Sequence, residues 1–83
     1  RNILHLIVQP SGIIGVRRGP SQDVRQFRPE DIEGLWRQEV AANPNLIAEV
    51  KTHPDSDYRL TLDVLDALKS AGAERISLQS LEN

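Results

Sequence analysis

The pattern of apolar and polar positions at the start of the chain predicts a β-hairpin. An apolar run over residues 3–8 is interrupted only by His5, and a β-branched run at residues 13–16 follows a segment that contains Pro10 and Gly12. β-Branched residues favour strands, and proline and glycine supply the backbone angles of a tight turn. We therefore predict two antiparallel strands joined by a short turn.

Residues 17–28 are predicted to form a surface loop. The segment contains Gly19-Pro20 and scattered charges, and its apolar residues have no regular spacing. Glycine and proline interrupt regular structure, and polar clusters of this kind usually connect elements. A short strand near Val24 is the one element that we expect within this segment.

A first helix is predicted to begin at Pro29. Proline suits the first helical position, and the acidic side chains of Glu30 and Asp31 are favourable at the positive end of a helix. The sequence Asn43-Pro44 is expected to end it. Its apolar residues share one face, as a helix that packs on a sheet requires: Ile32, Leu35, Trp36 and Val40.

The following residues predict a strand and then a second helix. Residues 46–50 alternate between the two faces of a strand that has one main buried side. Asp57 is a good N-cap, and Gly72 can adopt the left-handed conformation that ends a helix. Between these two residues, the side chains expected to face the core are Leu60, Val64, Leu65, Leu68 and Ala71.

A last strand is predicted at residues 75–78, with Ile76 and Leu78 on its buried side. A strand, a helix and a strand in succession usually join parallel strands through a right-handed connection. We therefore predict one α+β domain over residues 1–83, of order ββαβαβ, in which two helices pack on one face of a small mixed sheet.

Length and charge limit the classes of protein that fit the chain. Its 83 residues, 39% of them hydrophobic, are sufficient for one core. Ten basic and twelve acidic residues are interspersed and give a net charge of −2, so binding to nucleic acid is not expected. No apolar run approaches the roughly 20 residues that span a bilayer. The chain opens on Arg1 rather than methionine, so we expect an upstream part of the protein.

Few side chains have the setting that catalysis or metal binding requires. The histidines His5 and His53 are far apart in the sequence and lack further ligands at metal spacing. Asp63 and Asp66 fall on the solvent-facing side of the second predicted helix rather than in a cleft. No serine has the sequence context of a nucleophile elbow. We expect no enzyme activity, no metal and no cofactor.

The arginines of the predicted loop are candidate contacts for an anionic partner. Arg17 and Arg18 are adjacent, and Arg25 and Arg28 follow in the same segment. A cell-wall polymer or an acidic segment of a partner protein is the kind of ligand that such a cluster fits. The alternative interpretation is a solvated surface with no ligand, because basic clusters on surfaces are common.

The second predicted helix and the strand after it resemble the C-terminal part of the ExbD/TolR family of biopolymer transport proteins. The resemblance lies in Asp57-Tyr58 at the helix start, residues 64–68 in its centre, Ala71-Gly72 at its end and the strand residues 76–78. The upstream elements agree in order, and the segment 17–28 is longer and richer in arginine than the corresponding turn of the family.

The resemblance implies a periplasmic domain of a single-pass inner-membrane protein. In that family, one transmembrane helix with an essential aspartate precedes the domain, and dimers sit within a ring of ExbB or TolQ subunits to form a motor driven by the proton motive force. The periplasmic domain then acts on TonB or TolA in transport across, or maintenance of, the outer membrane. TolR-type members bind peptidoglycan instead.

An exposed strand edge is the surface through which we expect such a domain to bind a partner or a second protomer, because an edge strand can accept a further strand. The candidate residues are Arg75, Ile76, Ser77, Leu78, Gln79 and Ser80. Two alternatives remain open. One is a small ligand-binding or regulatory α+β module attached to a larger protein, and the other, which we rank last, is an enzyme fragment.

Overall fold

A computed structural model of the chain describes residues 2–80, which form five strands and two helices. The α+β class predicted from the sequence is confirmed, with both helices following the N-terminal strands. The elements in chain order are β1 (Ile3–Val8), β2 (Ile14–Arg18), β3 (Arg25–Phe27), a 3-10 turn (Pro29–Asp31), α1 (Ile32–Ala42), β4 (Ile47–Thr52), α2 (Tyr58–Ser70) and β5 (Ile76–Ser80).

The strands form one mixed sheet in the order β3-β2-β1-β4-β5. The N-terminal strands β1, β2 and β3 pair antiparallel, whereas β4 pairs parallel with both β1 and β5. Each parallel pair is joined through a helix, as parallel strands require a long crossover. The last strand in the chain, β5, is therefore also the last strand of the sheet.

The core lies between the helices and one face of the sheet. Alternate residues of β1 and β4 are buried on this side, and the helices bury Trp36 and Leu68 against them. Side chains alternate between faces along a strand, so the residues between them lie on the other face. The fully or nearly fully buried apolar residues are Leu4, Leu6, Val8, Ile14, Val16, Ile32, Leu35, Trp36, Leu46, Ala48, Val50, Val64 and Leu68.

The N-terminal hairpin is confirmed, but the segment after it contains more strand than expected. Arg17 and Arg18, predicted to lie in a loop, belong to β2, where they pair with His5 and Leu4 of β1. The short strand expected near Val24 is found immediately after it, as β3. The length of β2 is set by its partner strand, which continues to Ile3, and not by the polarity of its own side chains.

The C-terminal unit follows the prediction in outline, with one error. Asp57 caps α2 by accepting a hydrogen bond from the Arg59 N–H, and Gly72 adopts a φ of +83° after the helix. Ile76 is half-buried against the core. Leu78 was predicted to be buried and is 53% exposed. It lies on the helix side of the sheet, opposite Val50 in register, but β5 is the edge strand and the helices do not cover it there.

Candidate functional site

The outer edge of β5 is open to a further strand. Of the two edge strands in the described sheet, β3 has three residues, the first of them Arg25, and Arg28 follows it directly. Short, charged edges resist pairing with other chains. In contrast β5 has five residues, Ile76–Ser80, with neither charge nor proline among them. The two edges therefore differ in availability, and β5 is the one that is suited to accept a strand.

The hydrogen-bond pattern between β4 and β5 identifies which backbone groups are available. The N–H of Ala48 donates to the carbonyl of Arg75 at 2.9 Å. In a parallel ladder, residues that bond to one neighbour alternate with residues that direct both groups to the other side. The odd-numbered residues of β5 therefore bond to β4. The N–H and C=O groups of Ile76, Leu78 and Ser80 point away from the sheet.

Exposed apolar side chains lie beside this edge. Leu78 is 53% exposed on the helix side of β5, and Tyr58 and Leu62 on α2 are 64% and 41% exposed. Tyr58 and Leu62 are four residues apart and share one side of the helix. In a right-handed β4-α2-β5 connection this side faces away from α1 and toward the β5 edge. We call the side chains of Tyr58 and Leu62 the α2 flank.

A buried hydroxyl pair fixes α2 over the sheet. The hydroxyl of Thr61 is 3.0 Å from that of Thr52, the last residue of β4, and Thr61 is 1% exposed. The hydrogen bond satisfies the buried hydroxyl of Thr61, which would otherwise be costly to bury, and Thr52 is only half-buried. The hydrophobic pattern missed Thr61 because it scores threonine as polar. Its position three residues before the buried Val64 was the available signal.

The two arginines predicted to contact an anionic partner are not brought together. Successive residues of a strand point to opposite faces, so Arg17 lies on the open face of the sheet and Arg18 on the helix side. Arg17 donates to the carbonyls of Gly19 and Ser21. Arg18 pairs with Glu39 of α1. Each arginine therefore already has a partner within the chain, and binding of an anion by either remains a prediction.

Arg18 forms a two-pronged ion pair with Glu39 of α1. Its Nε is 2.7 Å from Glu39 Oε1, and its Nη2 is 2.5 Å from Oε2. The hydrogen bond from the guanidinium holds the pKa of Glu39 below its usual value, although partial burial of the carboxylate acts in the opposite direction. The pair separates two shallow grooves of about 270 and 360 Å³ between α1 and the sheet.

Replacing Glu39 with glutamine is expected to make stability less dependent on pH. Because folding lowers the pKa of Glu39, its contribution is present above the unfolded-state pKa and is lost as the pH falls through the folded-state pKa. We expect E39Q to be less stable by up to about 1 kcal/mol at neutral pH, since Arg18 is largely exposed.

Urea denaturation of both proteins over a pH series measures this effect. The difference between them should close as the pH falls below about 4. E33Q is the matched control, because Glu33 pairs with Arg37 on the exposed side of the same helix and should contribute less. A difference between E39Q and the original protein that persists undiminished in acid would contradict this account.

The open face of the sheet has a polar cluster at its centre. The His5 ring is 2.5 Å from Glu49 through Nδ1 and 3.1 Å from the Gly19 carbonyl through Nε2. Burial acts against ionisation of Glu49, but hydrogen bonds and charge from His5 and Lys51 outweigh it and lower the pKa of Glu49. The cluster links β1, β4 and the turn after β2, and so stabilises the sheet.

The described part of the chain contains no set of three or more His, Cys, Asp or Glu side chains that could hold a metal ion. Over the same residues no helix has the length and apolar character to cross a membrane. Comparison with models of known protein families gives no match for this chain, and comparison with curated protein sequences also gives none.

Proposed function

We propose that this chain is the periplasmic domain of an ExbD/TolR-type motor subunit, which couples an ExbB/TolQ-like channel to a TonB/TolA-like partner. In this role the domain performs no chemistry. It folds as a compact body, is pulled or rotated by a membrane segment, and presents a surface to the partner. Peptidoglycan is the partner in the TolR-type version of the same proposal, and a homodimer is the expected assembly.

The observation that best supports the proposal is the position of β5. The resemblance to the family lies in residues 57–78, and these residues form α2 and most of β5, at the end of the sheet where a strand edge is available. A coupling domain needs a stable connection to its membrane segment and, elsewhere on its surface, an accessible site that binds the partner. An open strand edge supplies backbone hydrogen bonds for such binding.

Co-purification of the full-length protein from its own membranes tests the proposal. An affinity tag on the protein should retain an ExbB/TolQ-like membrane protein in detergent. The segment before Arg1 should contain an apolar helix of about 20 residues with one aspartate, and replacing that aspartate with asparagine should abolish motor activity while leaving the complex intact. Failure to retain any such channel protein would contradict the proposal.

A further inference from the structure

We propose that β5 and the α2 flank together form a receptor for an extended segment of a partner protein, one that is uncharged and has apolar residues at alternate positions. This inference rests on the proposed function and specifies the chemistry of the partner. The segment would add to the sheet as a sixth strand beside β5.

The backbone of β5 determines how the segment binds. Ile76, Leu78 and Ser80 direct their N–H and C=O groups outward, as deduced from the bond between Ala48 and Arg75. A segment of about five residues is long enough to pair with all of them. Affinity from these bonds does not depend on the sequence of the partner, so specificity must come from side chains.

The side chains beside the edge select an alternating pattern. An added strand lies about 4.8 Å from β5, and its residues on the helix side would contact Leu78 from one direction and Leu62 from another. Residues on its other side would lie beside Ser77 and Gln79, which are polar. Apolar residues are therefore favoured on the helix side only. A charged residue there would be desolvated by Leu78 and Leu62, and β5 has no charged side chain with which it could form an ion pair.

The size of the surface favours a single peptide strand over a second folded copy. Five strand residues extend for about 17 Å, and Tyr58 and Leu62 cover about one turn of helix beside them. The apolar surface is then of the order of a few hundred Å². Stable protein–protein interfaces bury about 800 Å² on each partner, whereas short extended peptides bind to sheet edges largely through the backbone.

Two fluorescently labelled peptides with blocked ends provide the test. In one, valine and serine alternate over six residues, and in the other the same residues are rearranged so that the three valines are contiguous. Both have the same composition and no charge. Fluorescence anisotropy with the purified chain should show the alternating peptide binding at least about tenfold more tightly, because the contiguous arrangement turns an apolar side chain toward the polar side.

Variants of the chain locate the binding surface. L62S and L78S should each weaken binding of the alternating peptide several-fold, and the double variant about tenfold or more. V24S is the control, because Val24 is 47% exposed but lies between β2 and β3. Amide shifts in NMR spectra should map to residues 76–80 and 58–65.

Three outcomes would overturn the inference. The first is equal affinity for the two peptides, and the second is an equal loss of affinity for the alternating peptide in V24S and L78S. The third is a dimer, measured by light scattering, that the L78S substitution dissociates. The last result would identify a second copy as the occupant. If the peptides fail while the full-length protein still retains its channel partner, the receptor is disproved and the proposed function stands.

Discussion

Replacing Leu68 with alanine is expected to lower the free energy of unfolding by about 2–5 kcal/mol. Leu68 is fully buried on α2 and belongs to the cluster that joins both helices to the sheet. The substitution removes methyl and methylene groups from this cluster and leaves a cavity that the fixed strands cannot fill. Small domains have a free energy of unfolding near the lower end of about 5–15 kcal/mol. This one substitution would therefore remove a large part of the stability of the domain.

Urea denaturation followed by Trp36 fluorescence measures the loss. Trp36 is the only tryptophan in the sequence and is 1% exposed, so its emission reports unfolding of the core directly. L62A is the matched control, with the same substitution on the same helix at a residue that is 41% exposed. We expect L62A to cost less than about 1 kcal/mol. Equal losses in the two variants would contradict the placement of α2.

The C-terminal half of the fold could be predicted because its signals are local. Asp57 accepts the hydrogen bond that starts α2, and Gly72 adopts the left-handed conformation that ends it. Both residues act on groups within a few positions in the sequence. The inward residues Val64 and Leu68 follow from helical periodicity alone. Once the helix is fixed, the flanking strands are nearly obliged to run parallel.

The N-terminal half was less predictable because strand pairing is not local. Arg17 and Arg18 look like loop residues, yet they lie in β2 because β1 offers His5 and Leu4 as partners in register. The pair of arginines is adjacent in sequence, and the strand separates them onto opposite faces. Grouping Arg17 with Arg18 by their adjacency in the sequence therefore gave a pair that the folded chain does not form.

The sequence predicted the β5 edge of the candidate site but not the exposed side chains that lie beside it. Sequence alternation gave the correct side of the sheet for Leu78, but exposure depends on how far the helices extend over it, and this is a property of the tertiary structure. Tyr58, the first residue of α2, is 64% exposed. Only the folded arrangement of α2 and β5 shows that these two side chains and Leu62 border the same edge.

A proline at position 78 is expected to abolish partner binding while leaving the domain folded. The N–H of Leu78 points away from β4, as the bond between Ala48 and Arg75 indicates, so proline removes no hydrogen bond within the sheet. Proline is tolerated in edge strands at such positions. It removes one donor that an added strand would use, and its ring occupies the space that the strand needs. The proposed function then predicts that full-length L78P still co-purifies with an ExbB/TolQ-like channel but no longer binds a TonB/TolA-like partner or supports activity.

Gln79 provides the matched control, because its N–H is directed toward β4 and the same substitution there breaks the sheet. Q79P should lose about 1–3 kcal/mol, which lowers the melting temperature of a domain of this size by roughly 4–8 °C per kcal/mol. L78T keeps the backbone donor and should retain part of the binding. If L78P couples as well as the original protein, the edge of β5 is not the binding surface. If the melting temperatures of L78P and Q79P fall by the same amount, the two N–H groups do not point in opposite directions. The assignment of which β5 residues bond to β4 is then wrong.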